Sequence, residues 1–460
     1  MGNCLNIKLG RRSGLMTNVC MFVWNHFTND ARVLRACTAL AGAGYEVDLV
    51  AIHDYKDENL LKRESFPEGF SVYRVNGQLP KIIGYPLGAL GRVGAVLWSN
   101  VLLLVLFLIA AGVVVFLFPM LIILLSVGAI LSFSKVRVVF LRSYIFIQMI
   151  WLGFGKRYDV YHSNDLNTLP QGVICSKMKF SKSRRKKLIY DSHEVQTSRT
   201  GYSTWFHGRL ERFLVRFADR MISENHTRAA YTKELYGFYP AVVHNYPFVS
   251  KPEEVLQVDL HEVLGICKEE PILLYQGGVQ IGRGLDKIIE AVPLFKRGVV
   301  VFIGDGRIKG ELEKKVSEMG LEDRVKFMPK VPVGELIRYT PNGYLGFQVL
   351  NNVCFNHYSA LSNKLFEYMM SGVPVIACSF PEISWVVKKE RVGICVDSHC
   401  HESIAHGVNY LLDHPEVREE MRKNCFAARV RYNWDREKMA LLKVYGIADG
   451  GSERSEVRAE

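Results

Sequence analysis

Between Arg92 and Lys135 the chain lacks charge altogether: 42 consecutive residues hold no Asp, Glu, Lys or Arg. That absence excludes an ordinary solvated segment. One crossing of a bilayer takes roughly 20 apolar residues, so the run fits two short spans or a deep re-entrant hairpin. Pro119, near its middle, is the natural turning point. A pair of buried core helices is the competing reading, but soluble core helices keep a polar edge and are shorter. Paired cysteines are missing too. Ten cysteines are scattered through the chain, none in a Cys-x-x-Cys pair and none beside a His cluster at zinc spacing. This pattern excludes a zinc ribbon and leaves reduced, mostly buried thiols in a cytosolic fold, where the Asn225-His226-Thr227 sequon carries no meaning. No apolar segment directly follows Arg11 and Arg12, which argues against a signal peptide. The opening MGNCLN has Asn6 where a myristoylation signal needs Ser or Thr. Met16 is an alternative start, with residues 1–15 a disordered extension.

An acidic excess is also absent. The formal net charge is +12 with 49% apolar residues, so an anionic partner is expected: a phosphorylated ligand, an anionic membrane surface or a nucleic acid. The cations are not interleaved with aromatics as on a nucleic-acid platform, and no nucleic-acid partner is expected. At 460 residues the chain is too long for one core and implies two or three domains.

The chain starts as strand, helix, strand. NVCMFVW is an apolar run of strand length. NDARVLRACTALAGAG follows with Val33, Leu34, Cys37, Leu40 and Ala41 at helical spacing, and YEVDLVAIH is the next strand. A βαβ unit predicts a parallel sheet covered by helices. The apolar run interrupts this domain, so both its flanks lie on one side of a bilayer. Arg92, Lys135, Arg137 and Arg142 are the charges of a cytoplasmic side. The stretch VRVVFLRSYIFIQMIWLGFGKR reads as a helix at the interface, and Lys179 to Lys187 as a basic loop that meets headgroups or solvent. Strands resume at DVYH and KLIYDSHE, a helix covers about Gly208 to Ala218, and a second α/β block starts at about Pro271. The predicted domains are 16–248 with an insertion over about 86–154, 249–432, a C-terminal helix over 433–447 and a disordered tail over 448–460.

Two stretches carry chemistry. In SALSNKLFEYMMSGVP a helix is predicted over Asn363 to Met370, with Ser362 as N-cap and Gly372 and Pro374 as terminators. Its start offers free N–H groups and the positive dipole end to a phosphate. Lys364 can reach that phosphate. Glu367, on the same face one turn deeper, suits a vicinal diol such as a ribose; a plain surface ion pair is the alternative. In YQGGVQIGRGLDKIIEA a strand runs into Gly277, Gly278, Gly282 and Gly284 and then a helix, with Arg283 adding a fork of donors. The order is neither the dinucleotide fingerprint nor a P-loop, and a tight strand-to-helix turn is the competing reading.

These stretches, with FIGDG between them, resemble the C-terminal domain of glycosyltransferase family 4. FTNDARVLRACTALAGAGYEVDLVA, YDVYHSND, LIYDSHE and VVHNYP resemble its N-terminal domain. The resemblance implies an α/β GT-B fold of two Rossmann-like domains, here with an inserted transmembrane or re-entrant helical hairpin. It implies a nucleotide diphosphate sugar donor, held mainly by the C-terminal domain, and no metal. On this chain the implied donor residues are Gly278, Arg283, Ser359, Leu361, Ser362, Asn363, Lys364 and Glu367. Glu367 matches the second Glu of the family's paired-Glu motif, while Ser359 stands at the position of the first. Gly278 stands near an Arg position and Arg283 near a Lys position of the Gly-rich loop. His193, just after an apolar strand, matches a His that the family places against the transferred sugar. With Glu194 and Asp165 it completes the catalytic candidates, and His162 ends the preceding strand. Asn29, Asp30 and Arg32 of the first βα turn, with His162, are candidates for an acceptor or donor phosphate.

The resulting expectation is a membrane-associated, metal-independent, retaining glycosyltransferase at the cell membrane, with both domains cytoplasmic. It would transfer sugar to a lipid-linked or cell-surface glycan, most naturally a polyprenyl-diphosphate-linked acceptor. A nucleotide-sugar epimerase of GT-B fold and a non-catalytic partner in a glycan-assembly complex are the alternatives.

Overall fold

The computed structural model describes residues 17–28, 30–79, 96, 99–117, 134–178, 186–198 and 205–446. The 1–15 extension, Asn29, the turn at Pro119, the basic residues 179–185 and the 448–460 tail lie outside them. The chain forms two compact units. The first comprises the residues up to Val33 and Leu40–Ile189; the second comprises Leu34–Ala39 and everything from Tyr190 onward. The expected boundary near residue 248 thus falls inside the second unit. The reason is a set of buried hydrogen bonds from residues 193–228 to residues 354–382, described below.

In the first unit the strands are β1 (Asn18–Phe22), β2 (Glu46–His53), β3 (Arg63–Ser65), β4 (Ser71–Asn76), β5 (Val160–Asn164) and the start of β6 (Lys187–Ser192). Their order is β3-β4-β2-β1-β5-β6. β1 pairs in parallel with β2 and β5, and β2 with β4, while β3 pairs antiparallel with β4; Met21 of β1 stands opposite both Leu49 and His162. After Asn18, β1 is wholly buried, as a strand covered on both faces must be. The predicted first helix is Ala31–Gly42, with Val33, Cys37 and Leu40 buried as one stripe. It ends near Gly44, whose φ of 87° suits a residue without a Cβ.

Two apolar helices are described in this region, and residues 118–133 between them lie outside the described residues. Val101–Leu117 carries its described apolar side chains in the open, Val101 and Leu102 among them. Ser134–Phe154 is, among the described residues, the one helix long and apolar enough to cross a membrane. Its second half does not lie free at an interface as the sequence suggests. Ile145, Met149 and Gly153 are buried, and Gln148 exchanges bonds of 3.1 and 3.3 Å with the backbone of Asn76 at the end of β4. Tyr161 of β5 donates to the Gly153 carbonyl at 2.9 Å. Its first half keeps Val138, Val139 and Phe140 exposed.

The second unit holds the end of β6, then β7 (Arg220–Ser223) and β8 (Ala241–Val242), in the order β6-β7-β8. It also holds a parallel six-stranded sheet: β9 (Ile272–Gln276), β10 (Val299–Ile303), β11 (Val325–Met328), β12 (Gly343–Gln348), β13 (Val375–Cys378) and β14 (Gly393–Val396). Their order is β11-β10-β9-β12-β13-β14. Alternate residues of these apolar strands feed two cores, one on each face: Leu274, Val301 and Ala377 on one, Tyr275, Phe302 and Ile376 on the other. Helices 285–291, 309–318, 363–370 and 381–390 lie between successive strands, and helix 401–413 follows β14. The C-terminal helix Trp434–Tyr445 is capped by Asn433, and its Glu437 accepts from the backbone N–H of His244 at 2.7 Å.

Candidate functional site

The carboxyl ends of parallel strands are where α/β folds leave room for ligands, because the chain turns away there into loops and helix starts. In the second unit, β9 ends at Gln276 and hands over to Gly277. The φ of Gly277 is 128°, and a Cβ there would stand 3.4 Å from the Lys364 Cε. Only glycine fits that backbone comfortably and leaves the lysine its place.

Lys364 comes from the helix Asn363–Met370, found where the sequence predicts it. Its ammonium lies 3.8 Å over the centre of the Tyr275 ring. Burial, followed by repulsion from Arg283 and opposed by Glu367, holds its pKa well below the usual lysine range. Arg283, partly exposed in the glycine loop, makes no hydrogen bond or ion pair among the described residues. Two cations thus repel one another beside a loop of glycines, an arrangement that an anion relieves. Gly278 leaves open space here: a Cβ on it would meet only the Gln280 side chain, at 3.7 Å.

The start of the same helix is similarly underused. Ser362 has N-cap geometry, with φ −77° and ψ 136°, but its hydroxyl makes no capping bond, against the expectation from sequence. In the first turn the Leu365 N–H bonds the Ser362 carbonyl at 3.1 Å, while the amides of Asn363 and Lys364 remain available to another acceptor. Asn363 Oδ1 is buried without a partner among the described residues. Leu361 is buried in the core and positions the helix rather than facing a ligand.

Glu367, partly buried, accepts from Gln276 Nε2 at 2.8 Å, and Gln276 Oε1 accepts from the Thr340 hydroxyl at 2.9 Å. Burial holds the Glu367 carboxyl above the usual carboxylate range, only partly opposed by the Gln276 bond, Lys364 and Arg35. Arg35 is nearly buried and donates to Asn245. Gln348 ends β12, beside β9, two residues past the paired Gly346 and Leu274. It is fully buried, and neither its amide oxygen nor its nitrogen finds a partner among the described residues. A buried amide with no bonds is costly unless something else satisfies it.

Ser359 is fully buried. It donates to the Phe355 carbonyl at 2.7 Å and accepts from Arg228 Nε at 3.2 Å. Arg228 also binds Glu224, the His193 carbonyl at 2.6 Å and the Asn356 carbonyl at 3.1 Å. Asn225 Nδ2 donates to the Ser359 carbonyl at 2.8 Å, and Asn356 bonds both the N–H and the carbonyl of Val195. Segment 193–198 is therefore locked to segment 354–359. His193 remains partly exposed, with its Nε2 3.6 Å from Asp191 Oδ2, so Asp191 can orient the ring. Neighbouring Glu194 is partly buried, and its carbonyl accepts from Ser192 and Gln196.

The remaining candidates lie in the first unit. Asp30 caps the helix Ala31–Gly42, accepting from Val33 N–H at 3.1 Å and from Asn25 Nδ2 at 2.8 Å. Arg32 is 7% exposed. His162 lies in the middle of β5 with no exposed surface, not at the strand end as read from the sequence. Asp165 has a φ of 62°, a left-handed turn that Asp tolerates, and its carbonyl accepts from the Thr168 N–H. Asn29 is outside the described residues. Sequence reading missed Asp191, Arg228, Gln276, Gln348 and Arg35. Gln276, the last residue of an apolar strand before the glycine loop, was open to detection; the others carry no local signal.

Residues 257–427 match the family described as Glycosyl transferases group 1. The chain is 29% identical over 190 residues to an alpha-D-kanosaminyltransferase of Streptomyces kanamyceticus, an alignment covering 38% of this chain and 45% of that protein. It spans about half the length of the curated relatives it matches. Among solved structures, the sucrose-phosphate synthase of Thermosynechococcus elongatus is similar with a TM-score of 0.64 at 16% identity, covering 93% of this chain and 98% of that one. Anabaena HepE in complex with UDP-glucose gives 0.64 at 13%, covering 93% and 99%. The chain therefore has the two-domain α/β fold of GT-B type, and its residues 257–427, which carry Arg283, Lys364 and Glu367, are similar to the group 1 glycosyl transferases.

Proposed function

We propose that this protein is a glycosyltransferase that takes its sugar from a nucleotide diphosphate sugar and transfers it, with retention, to an acceptor held at a membrane. The observation that carries the reading is the cation pair of Arg283 and buried Lys364 at the carboxyl end of β9, next to the helix start at Ser362. Both cations lie in the segment that matches the group 1 family, and the structurally similar HepE was solved with UDP-glucose. The diphosphate sits between the two cations and the first-turn amides. Glu367, oriented by Gln276, takes the ribose diol. Protein cations and a helix dipole do the work of a metal here, so no metal cofactor is required.

In the reaction the bond from the anomeric carbon to the leaving phosphate oxygen breaks, and the acceptor oxygen bonds to that carbon on the same face. The acceptor proton passes to the departing phosphate. Arg283, Lys364 and the helix start stabilise the charge that grows there. Ser359 offers no carboxylate for a double displacement, which supports front-face attack. His193, with Asp191 behind it, contacts the sugar and shapes the oxocarbenium-like state.

The acceptor is a lipid-linked or cell-surface glycan at the cytoplasmic face, a polyprenyl-diphosphate-linked glycan being the most natural. The exposed apolar helices Val101–Leu117 and Ser134–Phe154 support attachment to a bilayer. A second reading has one specific observation behind it. Ser359, held by Arg228 where the family has a carboxylate, would suit a partner that binds nucleotide sugar without turning it over. The test is to incubate full-length protein with a panel of nucleotide sugars and a membrane extract. Transfer of label to lipid is expected; tight donor binding without transfer or donor hydrolysis selects the non-catalytic reading.

A further inference from the structure

Away from the donor site, the helix Trp205–Val215 of the second unit turns an unusual face to solvent. Its buried side holds Glu211, Leu214 and Val215, and Glu211 accepts from the hydroxyls of Tyr190 at 2.5 Å and Tyr236 at 2.7 Å. The outward side has no carboxylate. At about 100° per residue, Trp205, Phe206, Arg209, Arg212 and Phe213 fall on one face, and Arg216 and Phe217 continue it in the next turn. Trp205 is 71% exposed, Phe206 61% and Phe213 55%, values far above those of residues with a packing role. The Arg209 guanidinium lies 4.1 Å from the Trp205 ring centroid. Arg212 and Arg220 bind only backbone carbonyls, and none of the four arginines pairs with a carboxylate among the described residues.

Beside this face lies a depression of about 1030 Å³, whose lining holds three arginines, Arg212, Arg216 and Arg220, against one carboxylate, Asp219, together with Phe238 and Tyr239. Arginines with spare donors around a recess recognise phosphate oxygens. Large aromatic rings left in solvent are costly, and rings that flank a row of arginines fit the boundary between headgroups and acyl chains. A duplex nucleic acid would meet the cations through its phosphates but would leave Phe206 and Phe213 in water; a single strand that stacks on the rings is the competing occupant, and it would leave position 206 without lipid adducts.

We propose that this Arg/aromatic face docks on a bilayer of anionic phospholipid, with phosphate headgroups in the depression and Trp205, Phe206 and Phe213 at the level of the glycerol backbone. The surface is independent of the apolar helices 101–117 and 134–154, and of the donor chemistry.

The experiment uses the full chain, purified in detergent and presented to bilayers, with a photoreactive benzoylphenylalanine at position 206 or, as a control, at the exposed position 319. In bilayers with about 30% phosphatidylglycerol, position 206 should form lipid adducts and position 319 none. The yield should fall about fivefold for each of Arg209→Ala and Arg216→Ala, and likewise in pure phosphatidylcholine. Equal yields in the two lipids, or adducts at 206 only to a second copy of the chain, would overturn the proposal. Because adducts are read without turnover, failure of the glycosyltransferase reading leaves this result unaffected.

Discussion

The Lys364 ammonium sits 3.8 Å over the Tyr275 ring, at the end of the strand that leads into the glycine loop. A cation buried against an aromatic face and repelled by Arg283 is held partly for what is to bind there. Its depressed pKa means that the unfolded chain takes up its proton more readily than the native one. From this group, stability therefore rises with pH from the depressed value up to the ordinary lysine value of about 10.4, and is lost below. Binding a diphosphate reverses the balance by favouring the charged form. Nucleoside diphosphate binding should take up protons at alkaline pH, and affinity should fall as pH rises. Calorimetry in buffers of different ionisation enthalpy reads this directly. Lys364→Met should abolish the uptake and weaken binding at least about tenfold, without loss of Tm. A Tm that collapses while binding persists would make Lys364 structural.

Arg283→Ala tests the other cation. Partly exposed and without a hydrogen bond or ion pair among the described residues, Arg283 can be removed at little cost in stability. Diphosphate binding should weaken by about 1.5–3 kcal/mol, and binding of the bare nucleoside much less. Equal losses for the two ligands would refute the phosphate role.

Glu367→Ala should cost nucleotide-sugar binding about 1.5–3 kcal/mol. Gln276→Ala should cost a fraction of that by freeing the carboxylate to turn. Gln348→Ala discriminates further: if a ligand satisfies its orphaned amide, affinity drops, and if none does, Tm rises because an unsatisfied buried amide has been removed.

Arg228 is bound to Glu224, two carbonyls and Ser359, all buried or nearly so. Arg228→Ala should destabilise the protein by about 3 kcal/mol, read by denaturant titration. Arg228→Lys should rescue little, because one ammonium cannot span the Ser359 and Asn356 partners together. Retained stability in the alanine variant would mean that the two segments are held by other contacts.

His193→Ala should lower kcat strongly while donor Kd changes little, since the ring meets the sugar only as the oxocarbenium-like state develops. The product should keep the donor's anomeric configuration, and EDTA should leave activity intact. An inverted linkage, or strict dependence on an added divalent metal, would overturn front-face transfer.

Much of the site is local, and local signals are legible. The helix Asn363–Met370 follows from its apolar spacing and its Ser, Gly and Pro punctuation. The glycine loop after β9 follows from the change from an apolar run to residues that accept positive φ, and the apolar helix Val101–Leu117 from the absence of charge. Ser359, Lys364 and Glu367 share one short segment, so their order along the chain already places them together. What only the tertiary structure decided are the bonds across long separations: Arg228 with Ser359, 131 residues apart, and Gln276 with Glu367, 91 apart. Such pairs leave no periodic trace, because a buried polar partner is chosen by the packing around it and not by its neighbours in sequence. The same holds for Ser362, which has the cap residue's backbone but leaves its hydroxyl unused, and for Ser134–Phe154. Composition reads that helix as interfacial, while Gln148, Met149 and Gly153 fasten its second half to the sheet, since a glycine against Phe22 and Cys175 lets the helix approach closely enough to bury its apolar face.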